Sequence, residues 1–381
     1  MTNLESRDCS HRPPCPGCPA WGQVGVAASA EEKLLGLMEL AGLSEPLRVL
    51  QGQPYEYRHR ARSAVRGRIR SPKMGIFAKG THNIVDIPRC AVHHPRINEV
   101  IRGIKAGIRE VQLQPYIEKN HKGWLRYVQL VVERSTQTIQ LVLVGNTETP
   151  DLFEPLVRHL WESSLPLHSI WWNGNAERTN TIFGPHWHCF EGSETIVETI
   201  GGAQVFFPPG AFGQSNLNLA DEMVAQVGEW IPVDACVAEF YAGVGAFGLG
   251  LLQRGATVLF NEVSPAGIEG LRLGLEQQEP AAQERASVHL GPAGEHAALV
   301  QQCDVVLVDP PRKGLDDALL QSLIHHPPAS LVYVSCGLDA FVREAQEILE
   351  SGAMQLAEVI AVALFPHTEH VETMARFVRT S

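Results

Sequence analysis

The chain has 381 residues, 44% of them hydrophobic and 19% charged, and a formal net charge of −11. This is a globular composition whose length favours two domains, and no apolar run reaches the roughly 18 residues a membrane span needs. An acidic balance argues against binding polyanions over the whole surface, but it says nothing of local patches.

Cysteine and proline crowd the N-terminus, where a secretory signal would place an apolar segment, so a cytoplasmic location is expected. Cys9, Cys15 and Cys18 stand in "CSHRPPCPGC", a run too short and proline-rich to build its own core. In a cytosolic protein such spacing points to metal rather than disulfides. Cys90, in "VDIPRC", is the best candidate for a fourth ligand. Four thiolates suit zinc and an iron–sulfur cluster equally, and His11, His93 or His94 could enter a mixed zinc site. Cys189, Cys236 and Cys303 are scattered singles, expected in the core.

Residues 31–43 show helical leucine spacing. In "EYRHRARSAVRGRIR", Arg58, Arg60, Arg62, Arg66, Arg68 and Arg70 all take even positions, with Tyr57, Ala61, Val65 and Ile69 on odd ones. Strand side chains alternate between faces, so this predicts a strand or hairpin with one arginine-rich face. Such a face can fork the phosphates of a nucleic acid, or it can simply guard a solvated edge. Residues 94–113 then read as an amphipathic helix and 124–146 as a hairpin. Near "FFPPGAFGQSN" the texture changes to alternating strands and helices, the signature of a mostly parallel sheet. Strands are expected at 237–241, 257–261, 305–308 and 331–334.

The second half carries the chemistry. "FYAGVGAFGL" places Gly243, Gly245 and Gly248 in a turn from strand to helix, where backbone amides approach a ligand closely. Glu262 ends the next strand, placed to accept ribose hydroxyls. These signs fit NAD enzymes and S-adenosylmethionine enzymes alike. Asp309, delivered by a buried strand and followed by two prolines, favours a methyltransferase, and Arg312 in place of an aromatic disfavours amine methylation. Cys336 ends the following strand on the same sheet edge, and "FPHTEHVET" supplies Glu372 near His367, Glu369 and His370. A thiol, a carboxylate and a methyl donor are the parts needed to methylate an unactivated ring carbon.

With "FGQSN", "FYAGVGAFGL", "DPPRKG", "VYVSC" and "FPHTEHVE" in order over residues 206–376, the sequence resembles the RNA uracil-C5 methyltransferase family. The resemblance implies an α/β protein. Its C-terminal part (206–381) would be a Rossmann-like class I methyltransferase domain with a mostly parallel sheet. An iron–sulfur segment and basic strand region (1–95) and a mixed, strand-rich RNA-binding region (96–205) would precede it. The "CSHRPPCPGC" and "VDIPRC" cysteines look like the set that holds a [4Fe–4S] cluster in the ribosomal-RNA branch, with zinc the lesser alternative. The layout is similar to that of family members without the N-terminal TRAM domain.

By the same resemblance, Gln214, Tyr241, Gly243, Gly245, Glu262 and Asp309 would contact S-adenosylmethionine. Cys336 would add to C6 of an exposed uracil, and Glu372 would act as base. The expected partner is RNA, ribosomal ahead of transfer RNA, gripped by Arg58–Arg70, with no membrane or obligate protein partner and a monomeric enzyme. An inactive cluster-bearing RNA-binding protein, a cytosine-C5 enzyme and an NAD oxidoreductase are the rival readings. The chain departs from the family pattern at Gly337–Leu338, where many members have Asn-Pro, at Ala246, where some have Asn, and in the helix after Glu262, which lacks an asparagine.

Overall fold

The computed structural model describes residues 8–380. The chain forms two compact units, one from Met1–Gly22 and Gln53–Glu198, the other from Gln23–Gly52 and Thr199–Ser381. The sequence suggested a break at residues 95 and 96, but it falls inside one sheet. Strand Arg60–Arg68 pairs with Leu125–Val132, with Ala61 opposite Leu130, so segments from both sides share one core.

That first unit is a seven-stranded, largely antiparallel sheet. Its strand order is Ile84–Asp86, Ser71–Phe77, Arg60–Arg68, Leu125–Val132, Ile139–Gly145, Leu167–Gly174 and His186–Gly192. Helix Pro95–Glu110 lies against it because Ile97, Val100, Ile101, Ile104 and Ile108 recur at helical spacing and are all fully buried. His94 caps the helix, its ring nitrogen accepting from the Arg96 amide, and Pro95 suits the first turn.

The second unit holds an eight-stranded sheet. In order its strands are Arg48–Gln51, Met354–Ala363, Glu372–Arg379, Ser330–Ser335, Val305–Val308, Cys236–Phe240, Thr257–Glu262 and Ala286–Leu290. Every pairing is parallel except the two made by Glu372–Arg379. The four expected strands are all present, within a residue of their predicted ends. Helices Ala28–Leu40 and Leu338–Glu350 pack together over one face, burying Leu34, Leu37, Phe341 and Ile348 with Leu319 and Tyr333. At about 25 cal/mol per Å² of apolar surface, each such side chain contributes roughly 1.5–3 kcal/mol.

Two cysteines expected as core singles are joined. Cys236 and Cys303 form a disulfide with a Cα–Cα distance of 4.8 Å. The parallel register sets Val237 opposite Val305, which brings the two residues together at the start of neighbouring strands. That adjacency is invisible from sequence positions 67 residues apart.

Candidate active site

The parallel strands all run out at one sheet edge, and their carboxyl ends carry the candidate residues. Register aligns Phe240 with Asn261 and Val308, and Val308 with Tyr333. Tyr241, Glu262, Asp309 and Cys336 therefore leave the sheet on the same side, the edge where ligands of such sheets bind.

Beside Cys336 runs the one antiparallel neighbour. Ser335 pairs with Thr373, so one further step places Cys336 opposite Glu372. Their chemistry is coupled. Burial pushes the Cys336 thiol up to about 11, Glu372 and Asp309 adding to the rise and Arg312 opposing it. Burial likewise raises Glu372 to about 8, with Asp309 adding and Arg312 opposing, and burial alone raises Asp309 to about 7. Glu372 Oε2 is buried without a hydrogen-bond partner, so one carboxyl oxygen is uncommitted. The thiol itself lies 3.9 Å from the Pro310 carbonyl.

Arg312 thus acts on both reactive groups, although in the sequence it served only to argue against amine methylation. The loop that carries it is firmly held. Glu344, 3% exposed, accepts from the Leu315 amide at 3.3 and 3.2 Å and from the Tyr333 hydroxyl at 2.6 Å. A typical intramolecular hydrogen bond contributes about 0.5–1.5 kcal/mol net. The Asp316 amide donates to the Tyr241 hydroxyl at 3.0 Å. Tyr241 holds φ +60, a left-handed conformation that is costly for a bulky residue and recurrent at functional sites. Gly337 closes the arrangement. A Cβ at that position would lie 2.4 Å from the Arg312 carbonyl oxygen, so the Asp309–Asp316 loop rests directly on the backbone next to the thiol. This accounts for glycine after the cysteine. Leu338 begins the following helix and packs on the core.

The neighbouring cavity is lined by Gln214, Leu217, Tyr241, Gly243, Ala246 and Asp309 among others. Gly243, at φ +57, has no heavy atom within 4 Å of the position a Cβ would take, which leaves its backbone open to a ligand. Its amide donates to Glu262 Oε2 at 2.7 Å, and Glu262 Oε1 accepts from Val263 and Ser264, at 2.8 and 2.5 Å. Asn216 caps helix Leu217–Trp230 and donates to the Leu364 carbonyl, fixing the loop that bears Gln214. Burial raises Glu239 well above its ordinary value, and Asp309 and Glu262 add to the rise. These residues fit S-adenosylmethionine: an apolar slot, an open glycine backbone and crowded carboxylates whose repulsion a cationic ligand relieves.

In the other unit the expected arginine row is only partly free. Of the odd positions, Tyr57 and Ala61 are 4% exposed and Val65 0%, while Ile69 is only half-buried. On the even face, however, Arg62 stacks over Phe183 at 4.9 Å and donates to Gln129. Arg66 lies against Tyr116, Phe77 and Tyr127 and donates to the Val65 and Arg126 carbonyls. Arg58 and Arg60 are half-buried, and Arg68 and Arg70 are exposed. Alternation identified the face correctly but not the rings and carbonyls that occupy part of it.

The four N-terminal thiols feel one another. Burial raises Cys18 to about 12, and Cys90, Cys15 and Cys9 push it further while Arg58 opposes them. Backbone amides of Val92 and His93 donate toward the Cys90 sulfur, and Asn98 clamps the Cys90 backbone from both sides. Among the described residues, no group of three or more His, Cys, Asp or Glu side chains is drawn together closely enough to hold a metal ion. Nor is any helix among them long and apolar enough to cross a membrane.

An eight-stranded sheet of this order, with a glycine turn, an acidic edge and an adjoining slot, defines a class I S-adenosylmethionine-dependent methyltransferase. Comparison narrows the class. The family model of tRNA (uracil-5-)-methyltransferase matches residues 297–379. An uncharacterized RNA methyltransferase of Protochlamydia amoebophila is 33% identical over 98% of both chains. One of Geobacter sulfurreducens is 28% identical over 99% of this chain and 78% of its own. The crystal structure of Pyrococcus abyssi tRNA (uracil-54, C5)-methyltransferase with S-adenosyl-L-homocysteine superposes with a TM-score of 0.75 at 27% identity, covering 92% of this chain and 83% of that one. The chain belongs to the RNA (uracil-5-)-methyltransferase family.

Proposed function

We propose that this protein methylates C5 of one uridine in 23S ribosomal RNA through a covalent adduct at Cys336. The register that sets Cys336 opposite Glu372, with Asp309 and Arg312 beside them, carries the reading. Gln214, Tyr241, Gly243, Gly245, Glu262 and Asp309 would hold S-adenosylmethionine, which supplies an electrophilic methyl group when bound. Cys336 first gives up its thiol proton to solvent; the sulfur then bonds to C6 of the uracil, and the C5–C6 π pair moves toward O4 as an enolate. C5 then takes the methyl group as the methyl's bond to the donor sulfur breaks, its electron pair staying on that sulfur. Glu372 removes the C5 proton, and the electrons restore the double bond as the sulfur–C6 bond breaks. The target base must be unpaired or flipped out for C6 to reach the thiol.

Transfer RNA is the second reading, favoured by the likeness to the archaeal enzyme of known structure. Mapping 5-methyluridine in ribosomal and transfer RNA with and without the gene decides between them. One ribosomal position should lose the modification. Loss from transfer RNA alone would move the target there, and no loss in either would end the proposal.

We also propose that Cys9, Cys15, Cys18 and Cys90 hold a [4Fe–4S] cluster that orders the segment beside Arg58. Their mutual electrostatic coupling and the amides aimed at Cys90 support this. Protein purified without oxygen should contain about four irons and four acid-labile sulfides per chain, and Cys90→Ser should lose them. One zinc and no sulfide would replace the cluster with a tetrahedral zinc site.

A further inference from the structure

Strands Arg60–Arg68 and Ser71–Phe77 turn at Ile69 and Arg70, and their register sets Arg66 directly opposite Lys73. Opposed residues of an antiparallel pair share a face with Cβ atoms about 5 Å apart, where like charges repel. The hairpin therefore places two cations together at a cost. Arg66, Arg68, Lys73, His82, Tyr116 and Lys119 line an open groove of about 490 Å³. Glu118 is the single carboxylate in its lining, and it is already engaged by Arg66 at 3.4 Å and by His82 at 3.1 Å.

Arg66 is locked in the wall, its guanidinium 4.8 Å from the Tyr116 ring centre and 5.4 Å from that of Tyr127. Arg68, Lys73 and Lys119 are exposed, and none of them makes an ion pair among the described residues. In a chain of net charge −11, three free cations around one groove are a local inversion of sign. A groove lined by the ends of long cationic side chains, with an aromatic ring in its wall, suits an extended polyanion better than a small enclosed ligand.

We propose that this groove anchors the phosphodiester backbone of the substrate RNA, a contact made by the unit that does not carry Cys336. The proposal rests on RNA being the substrate. It differs from the row of even-numbered arginines, because Lys73 and Lys119 come from separate segments and four of those arginines (Arg58, Arg60, Arg62 and Arg70) are absent from the groove's lining.

The test replaces both lysines, as Lys73→Glu with Lys119→Glu and, more gently, as the paired glutamine variants. Binding to a full-length 23S ribosomal RNA transcript and to a 40-nucleotide single strand is titrated against salt. Two lost phosphate contacts should lower the slope of log affinity on log salt by about 1.4 and weaken binding at least about tenfold at 0.15 M. The glutamine pair should fall between wild type and the charge reversal. KM for RNA should rise while kcat at saturation stays unchanged. Unchanged affinity and slope overturn the proposal. So does loss of inorganic pyrophosphate binding with RNA binding intact, which would mark a small-anion site. If the wild-type protein methylates no uridine, the function proposed above fails, and the binding slopes still judge the groove alone.

Discussion

Cys336→Ala should abolish 5-methyluridine formation, a loss of at least about 10⁴-fold in kcat, while S-adenosylmethionine affinity stays within about twofold. The two effects separate because Cys336 is not part of the cofactor slot's lining, which comes from the loops at Gln214 and Tyr241–Ala246 with Asp309 alone shared between slot and thiol. Methyl transfer from labelled cofactor measures the first quantity and calorimetry the second. The variant should also fail to trap RNA carrying 5-fluorouridine. Turnover within tenfold of wild type would remove the thiol from the mechanism. The thiol also predicts a pH profile. It is raised to about 11, chiefly by burial, so the resting protein holds it protonated at neutral pH. Attack requires that proton to leave, so the rate should climb with rising pH.

The second large effect belongs to Glu372→Gln, which should accumulate a covalent protein–RNA adduct that migrates as a shifted band on denaturing gels. The glutamine cannot take the C5 proton, so the sequence of bonds halts after methylation. Normal turnover without an adduct would assign the base elsewhere. The same variant reports on stability in the cofactor-free protein. Burial and Asp309 raise Glu372 from 4.5 to about 8. A group whose folded value is raised contributes its full stability below the unfolded value, here about 4.5, and loses it as pH rises through about 8. Glutamine has no proton to lose. The melting temperature of Glu372→Gln should therefore gain on that of wild type between pH 5 and pH 9, by several degrees. Equal curves across that range would show the carboxyl to be less buried than its 5% exposure indicates.

The catalytic half was legible because its signals are local. A glycine turn after a strand, a carboxylate ending the next strand and a cysteine ending another each declare a place on a parallel sheet, and register then brings them to one edge. Arg312 was legible as a residue but not as a role, since its effect on Cys336 and Glu372 depends on the loop that Glu344 and Tyr241 hold. Gly337 was a departure without a cause until the Arg312 carbonyl appeared against it. The failures share one origin. The internal boundary, the Cys236–Cys303 bond and the occupied arginine face all depend on partners distant in sequence: Leu130 for Ala61, Cys303 for Cys236, Phe183 for Arg62. Periodicity reports which way a side chain points and is silent on what meets it.

The path of the chain between its two units bears on how the molecule is made. Strand Arg48–Gln51 takes its place in the sheet beside Met354–Ala363, with Arg48 opposite Ile360. During synthesis this segment emerges early and must wait, with Leu34 and Leu37 uncovered, until nearly the whole chain has followed. Such remote pairings close slowly and leave apolar surface open to misassembly. A fragment cut to begin at residue 199 would lack that strand altogether, leaving the inner run Val359–Ala363, every residue of it buried in the intact protein, as a bare edge. Two units in space are therefore interleaved along the chain, and the sheet is finished only when residues 48–51 and 354–363 have both been made.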